Sequence, residues 1–243
     1  MVDKEEKTQA EEIEEKVKQE LQEEEKPIDL EGEEEIDQMA EVEAVSKSSI
    51  KIFDLYDTSS VKVEDPGLKR VMNLKPMTML KTHGRIRGKF AGTKINIVEK
   101  LIRILCHAGH RGKKHKIMTR TTGHYTKNAR VVLKAFKIIE DKTKKNPVQV
   151  LVNAIENASP REEITTVEYG GAKYPQAVDT SPVRRISLTL KLITHGAYDK
   201  SFNKKTKIEQ ALANEIILAS EGKPESFAVG KKGEAEKQAN SAR

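Results

Sequence analysis

Apolar residues recur at helical spacing through most of the chain after residue 94. Val98, Leu101, Ile102 and Leu105 fall at i, i+3, i+4 and i+7, which predicts a helix from about Ile95, ended by Gly109 and Gly112. Val132, Ala135, Phe136 and Ile139 repeat that spacing. Asn146-Pro147 reads as an N-cap with proline at the first helical position. It opens a third helix with Leu151, Ala154, Ile155 and Ala158 inward, closed by Ser159-Pro160. Ser181-Pro182 caps the next, with Ile186, Leu190 and Ile193 inward. Thr206-Lys207-Ile208-Glu209 has the form of a capping box and starts a helix through Leu212 and Ile216 to near Gly222. The charged stretch 224–243 predicts a last helix that frays.

Between the third and fourth of these patterns the period changes. Ile164–Tyr169, then Gly170-Gly171, then Ala172–Val178 reads as a β-hairpin over 164–178 on a two-glycine primed turn. Pro175 implies an edge position or a bulge. A lone two-stranded ribbon buries little and is marginal by itself. Its tip combines Tyr169, Gly170, Gly171, Lys173 and Tyr174. Tyrosine rings stack on unpaired bases and glycines permit close approach to RNA. The alternative is a hairpin folded back on its own helices. Upstream, residues 44–92 look irregular. A strand-like run, Ile50-Lys51-Ile52-Phe53, leads to turn residues at Asp65-Pro66-Gly67 and to an arm, His83-Gly84-Arg85-Ile86-Arg87-Gly88-Lys89-Phe90. Glycines among the arginines let that backbone follow an irregular surface.

These patterns predict a mainly α protein: a helical bundle of about six helices with one inserted β-hairpin, a basic N-terminal arm and an acidic N-terminal tail. Charge sharpens the division. Residues 1–43 hold nineteen Asp/Glu against five Lys, whereas the remainder holds thirty-nine basic and nineteen acidic residues. The expected organisation is a mobile acidic tail over 1–43, an irregular basic arm over 44–92 and a helical RNA-binding domain over 93–243. Lys81 to Arg130 carries fourteen Lys/Arg, one acid (Glu99) and five of the six histidines. Like charges this dense oppose folding unless a polyanion neutralises them, and a phosphate backbone does so with release of counterions. Trp is absent, so the core must be aliphatic. Cys106 is the only cysteine, which fits a reducing compartment. The acidic start is unlike a signal or transit peptide, and no apolar run approaches the ~18 residues of a membrane span. A soluble, intracellular protein is expected.

Other chemistry fits these residues less well. Cys106, His107, His110 and His115 invite a zinc site, but adjacent Cys106 and His107 cannot easily share one tetrahedral site and no second cysteine exists. Gly84-x3-Gly88-Lys89 and Gly109-x2-Gly112-Lys113-Lys114 match phosphate-loop spacing only loosely. A nuclease would need acids in the basic region, where Glu99 stands by itself. A DNA-binding regulator would need a recognition helix and a dimer face, and neither is clear. The expectation is an RNA-binding protein that is no enzyme, with no cofactor, metal or small-molecule substrate.

Several motifs carry a family resemblance. They are Pro147–Ile155, Ser159-Pro160-Arg161-Glu162-Glu163, Ala177-Val178-Asp179, Ser181-Pro182-Val183-Arg184-Arg185, Leu212-Ala213-Asn214-Glu215-Ile216 and Ser226-Phe227-Ala228-Val229. In this order, over roughly 50–243, they resemble the universal small-subunit ribosomal protein S-seven family in its archaeal/eukaryotic form. The resemblance implies six helices with the hairpin between the fourth and fifth. It also implies a structural constituent of the small ribosomal subunit that binds ribosomal RNA and organises the subunit head. The hairpin would lie near the exit-site tRNA and the mRNA path. Neighbouring ribosomal proteins become expected partners and the cytoplasmic ribosome the expected location. The family's Gly-Lys-Lys run before the second helix is displaced: Gly112-Lys113-Lys114 lies well upstream of Arg130, and Gly123-His124-Tyr125 occupies its place. Expected phosphate contacts are Arg85, Arg87, Lys89, Lys94, Arg111, Lys113, Lys114, Lys116, Lys127, Arg130, Arg184 and Arg185.

Overall fold

The helical spacings become buried faces. The structure, a computed structural model, describes residues 50–243 apart from 79, 83–87, 89–90, 112–113 and 116–121, and apart from the side chains of 110, 111, 114 and 115. Its helices are α1 (Pro66–Lys69), α2 (Ile97–Leu105), α3 (Tyr125–Thr143), α4 (Pro147–Ala158), α5 (Pro182–Ser201), α6 (Ile208–Ser220) and α7 (Phe227–Ser241). Among the described residues two antiparallel pairs accompany them: a short β1 (His110–Arg111) with β2 (Lys114–His115), and β3 (Glu162–Tyr169) with β4 (Ala172–Asp179). The hairpin follows α4, so of the six longer helices among the described residues it follows the third. It stands between the fourth and fifth only if the single turn of α1 is counted.

Helix α6 is the hub. It packs on α3, α4 and α5, and Ala211, Leu212, Ala213, Ile216 and Ala219 are all buried. Around it the predicted inward residues Val98, Leu101, Ile102, Leu105, Val132, Ala135, Phe136, Ile139, Leu151, Ala154, Ile155, Ile186, Leu190 and Ile193 are buried together. Each fully buried Leu, Ile or Phe side chain contributes about 1.5–3 kcal/mol. Asn146 caps α4 as its sequence indicates: its Oδ1 accepts from the Val148 N–H at 3.0 Å. Gly222, at φ 68°, ends α6 in a Schellman turn, with Gly222 N–H donating to Ala219 and Lys223 N–H to Leu218.

Local readings fail where long-range packing intervenes. The capping box does not form: Lys207 is the N-cap of α6 without a side-chain cap bond, and Glu209 lies 3.7 Å from Lys134 of α3 instead. The run Ile50–Phe53 is not a strand. Phe53 and Asp54 both have positive φ, and Leu55 N–H donates to Ile52 C=O, which makes a tight turn. Tyr56 then stacks edge-on against Phe136, with ring centroids 5.8 Å apart. Asp65 is a helix cap rather than a simple turn residue, accepting from Gly67 N–H at 2.8 Å at the start of α1. Ile52, Leu68, Met72 and Leu80, from the stretch expected to be an irregular arm, all enter the same core.

The hairpin is continuous over eight facing pairs, from Glu162↔Asp179 to Tyr169↔Ala172. Gly170 (φ 59°) and Gly171 (φ 80°) supply the two positive φ angles of its turn. Pro175 faces Thr166 without a bulge. Counting outward from the turn, that is a non-hydrogen-bonded pair, so the missing N–H costs the ladder nothing. The base packs on α7, and Arg243 pairs with Glu162, so the last helix continues to Ser241 with a docked end.

Candidate nucleic-acid interface

The sole acid of the basic window is turned inward. Glu99, on α2, is buried, and its Oε1 accepts from Thr82 N–H at 3.1 Å and Thr82 Oγ at 2.7 Å. Tyr125, at the start of α3, donates its hydroxyl to the Leu80 carbonyl, and Lys81 Nζ lies 5.8 Å over the Tyr125 ring. Burial, with the Glu99 charge, raises the Tyr125 phenol above its ordinary value and keeps it a donor. These contacts pin residues 80–82, which precede the basic His83–Phe90 stretch in sequence, to α2 and α3. A second brace lies nearby. Asn96 caps α2 through Val98 N–H and donates to the Lys75 carbonyl at 2.8 Å, while Asn73 donates to the Lys94 carbonyl at 2.6 Å.

With Glu99 withdrawn, the outer face of α2 presents cations. Lys100 and Arg103 lie opposite the buried stripe, and His107 follows in the turn just past the end of α2. Across from them on α5 stand Ser187, Lys191 and His195, again one helix face. Between the two helices lies a groove of about 510 Å³, with Ile95, Ile104 and Ala108 in its lining. Arg103, His107 and Lys191 are exposed; Lys100 is half-buried, and that burial holds its ammonium below the ordinary lysine value. His107 Nδ1 lies 3.1 Å from the Arg103 carbonyl.

The α3 N-terminus joins the same region. Gly123, at φ 74°, donates its N–H to the Cys106 carbonyl at 3.1 Å, which seats Gly123-His124-Tyr125 against the end of α2. Lys127 and Arg130 follow as exposed residues of the first turns of α3, and Lys94 is exposed on the 3-10 turn Ala91–Lys94. Cys106 turns into the core, where Asn128 Nδ2 donates to its Sγ at 3.1 Å and burial raises its thiol above the ordinary value. Among the described residues no cluster of His, Cys, Asp or Glu could hold a metal ion, and no helix is long and apolar enough to cross a membrane.

The two arginines of α5 part company. Arg184 is exposed but gives Nε and a terminal nitrogen to Glu163 Oε2, both at 2.8 Å, tying α5 to the hairpin base. That bond raises the Arg184 guanidinium. Arg185 is only 9% exposed. Its guanidinium pairs with Asp65 at 2.8 Å and donates to Ser159 Oγ at 2.9 Å. It therefore leaves the set of candidate phosphate contacts, because its charge is spent inside the fold. Arg85, Arg87, Lys89, Lys113 and Lys116 lie outside the described residues, and of Arg111 and Lys114 only the backbone is described. At the hairpin tip Tyr169 is 81% and Tyr174 59% exposed, and Gly170, Gly171 and Lys173 are also exposed. The register puts Tyr169, Val167 and Tyr174 on one face of the ribbon, and all three are exposed.

Lys100, Arg103, Lys191 and His195 are not among the site residues read from the sequence, and His107 enters there only as a zinc candidate. The spacing of Lys100 and Arg103 along α2 is a readable signal; the facing stripe on α5 depends on tertiary packing.

Known proteins give this geometry a context. A family model described as ribosomal protein S7p/S5e matches residues 68–243. The small ribosomal subunit protein uS7 of Nanoarchaeum equitans is 47% identical over 80% of this chain and 99% of its own length. Those of Thermoplasma volcanium and Archaeoglobus fulgidus are each 44% identical, over 79% and 82% of this chain and 100% and 97% of theirs.

Proposed function

Because the chain belongs to the ribosomal protein S7p/S5e family, we propose that it is a structural, non-catalytic constituent of the small ribosomal subunit that binds ribosomal RNA. One observation carries the reading: the acid of the basic stretch, Glu99, is buried, while Lys100, Arg103 and Lys191 share a groove that no carboxylate lines among the described residues, and Lys94, Lys127 and Arg130 are exposed on the turn before α2 and on the first turns of α3. Such a surface gains from releasing the counterions of a phosphate backbone. The basic arm and connector residues Arg85, Arg87, Lys89, Arg111, Lys113, Lys114 and Lys116 would contribute further phosphate contacts. Arg184 orients the hairpin and offers its remaining edge. The exposed tip, Tyr169 to Tyr174, would reach the exit-site tRNA and the mRNA path, and neighbouring small-subunit proteins would cover other faces.

The test is salt-dependent binding of the full chain to small-subunit ribosomal RNA. Lys94→Ala, Lys127→Ala and Arg130→Ala should each reduce the slope of log K against log salt by about 0.7–0.9. Unchanged slopes in all three would remove this surface from the interface.

A further inference from the structure

The groove between α2 and α5 is more than a charged surface, because it pairs an apolar floor with a cationic rim. Ile95 and Ala108 are buried in the floor and Ile104 is half-buried. Lys100, Arg103 and Lys191 stand around them, and among the described residues no carboxylate lines the groove. A phosphate-only site would need no apolar floor, and an aliphatic ligand would not need three cations. A volume of about 510 Å³ falls within the ~300–1,000 Å³ typical of small-ligand sites. A paired duplex presents phosphates on its outside and keeps its bases stacked, so it can meet the rim but cannot fill the floor. An unpaired nucleotide can do both.

We propose that this groove receives one unpaired nucleotide of the bound RNA, its base on Ile95, Ile104 and Ala108 and its phosphates on Lys100, Arg103 and Lys191. This rests on the RNA-binding reading above and adds a structural preference within it. Lys100 is the informative residue. Its ammonium is partly withdrawn from water with no acid among the groove's described lining residues, a cost that a phosphate arriving beside it would offset.

The experiment uses the full chain and two RNA hairpins, identical except for a single bulged 2-aminopurine nucleotide in one. Binding is measured at one fixed low salt concentration. The bulged RNA should bind about tenfold more tightly, about 1.4 kcal/mol, and its 2-aminopurine fluorescence should change on binding. Ser187→Trp fills the groove from α5, and Lys100→Met removes the rim charge while keeping an apolar stem; both should bring the affinity ratio of the two RNAs close to one. Circular dichroism verifies that each variant is folded, and the wild-type comparison stands without them. Equal wild-type affinity for the two RNAs, or a ratio that survives Ser187→Trp, overturns the subsite and leaves general RNA binding standing. Failure to bind either RNA overturns both.

Discussion

Glu99 accepts two hydrogen bonds from Thr82, one from its backbone N–H at 3.1 Å and one from its hydroxyl at 2.7 Å. The acid therefore anchors Thr82, next in sequence to the basic His83–Phe90 stretch, rather than diluting the charge of the surface. Glu99→Ala should destabilise the fold by about 1.5–3 kcal/mol, the scale of hydrogen bonds to a charged acceptor, as read by urea denaturation. It should also weaken RNA binding, although it makes the protein one unit more positive. Simple charge counting predicts tighter binding, so an increase in affinity would refute the anchoring role.

Asp65 and Arg185 join α1 to α5 across 120 residues of sequence. Burial acts to raise the Asp65 carboxyl, but the Arg185 guanidinium and the Gly67 and Leu68 N–H groups outweigh it and hold it below its ordinary 3.8. A carboxylate lowered in the folded state stabilises the fold above its unfolded value and loses that contribution as pH falls through the folded one. Stability should fall below about pH 4, in part through this group. Asp65→Asn should cost about 2–3 kcal/mol at pH 7, because it leaves a buried guanidinium without its counter-charge. Its stability should then decline less between pH 4 and pH 2 than that of the wild type. Parallel curves for the two proteins would assign the acid sensitivity elsewhere.

Gly196 allows α5, α6 and α7 to meet. A Cβ there would stand 2.8 Å from Phe227 Cβ and 3.0 Å from the Glu215 carboxyl carbon. Buried Glu215 pairs with Lys200 at 2.6 Å and accepts from Ser226 Oγ at 2.7 Å, which docks the start of α7. Gly196→Ala should destabilise by about 1–3 kcal/mol through overpacking, less up to ~1 kcal/mol of regained helix propensity. Limited proteolysis near Ser226 should quicken. Unaltered thermal stability and proteolysis would show that the contact yields without cost.

The tip of the hairpin is expected to be dispensable for folding. Replacing residues 167–176 with a short turn removes exposed side chains, including Tyr169 and Tyr174, and leaves Arg184–Glu163 and Arg243–Glu162 at the base. Thermal stability and helical content should stay near wild type, while retention of exit-site tRNA by reconstituted subunits should fall. Loss of cooperative unfolding would make the ribbon a structural element instead.

The parts legible in the sequence were those set by local period. Leu151, Ala154 and Ile155 announce a buried helix face, and Gly170-Gly171 announces a primed turn, because each signal is complete within a few residues. The parts that were not legible depend on distant partners. Glu209 abandons a capping box for the face of α3, and Arg185, one residue from exposed Arg184, is buried because Asp65 and Ser159 meet it there. Phe53 and Asp54 take positive φ without glycine, held by the packing of Ile52 and Tyr56 into the core. The cationic stripe of α2 could be read from spacing; its pairing with Lys191 across a groove could not.

The central claim is that RNA meets the face built on α2, the turn before it and the start of α3. Ultraviolet crosslinking within assembled small subunits, with the crosslinked peptides sequenced, tests it most directly. The face formed by Lys134, Lys137 and Lys207 is an internal control, since Asp141 and Glu209 sit among its lysines. Crosslinks to ribosomal RNA should concentrate on peptides carrying Lys94, Lys100, Arg103, Lys127, Arg130 and Lys191. Crosslinks confined to the Lys134–Lys137–Lys207 face, with none on those peptides, would contradict the account.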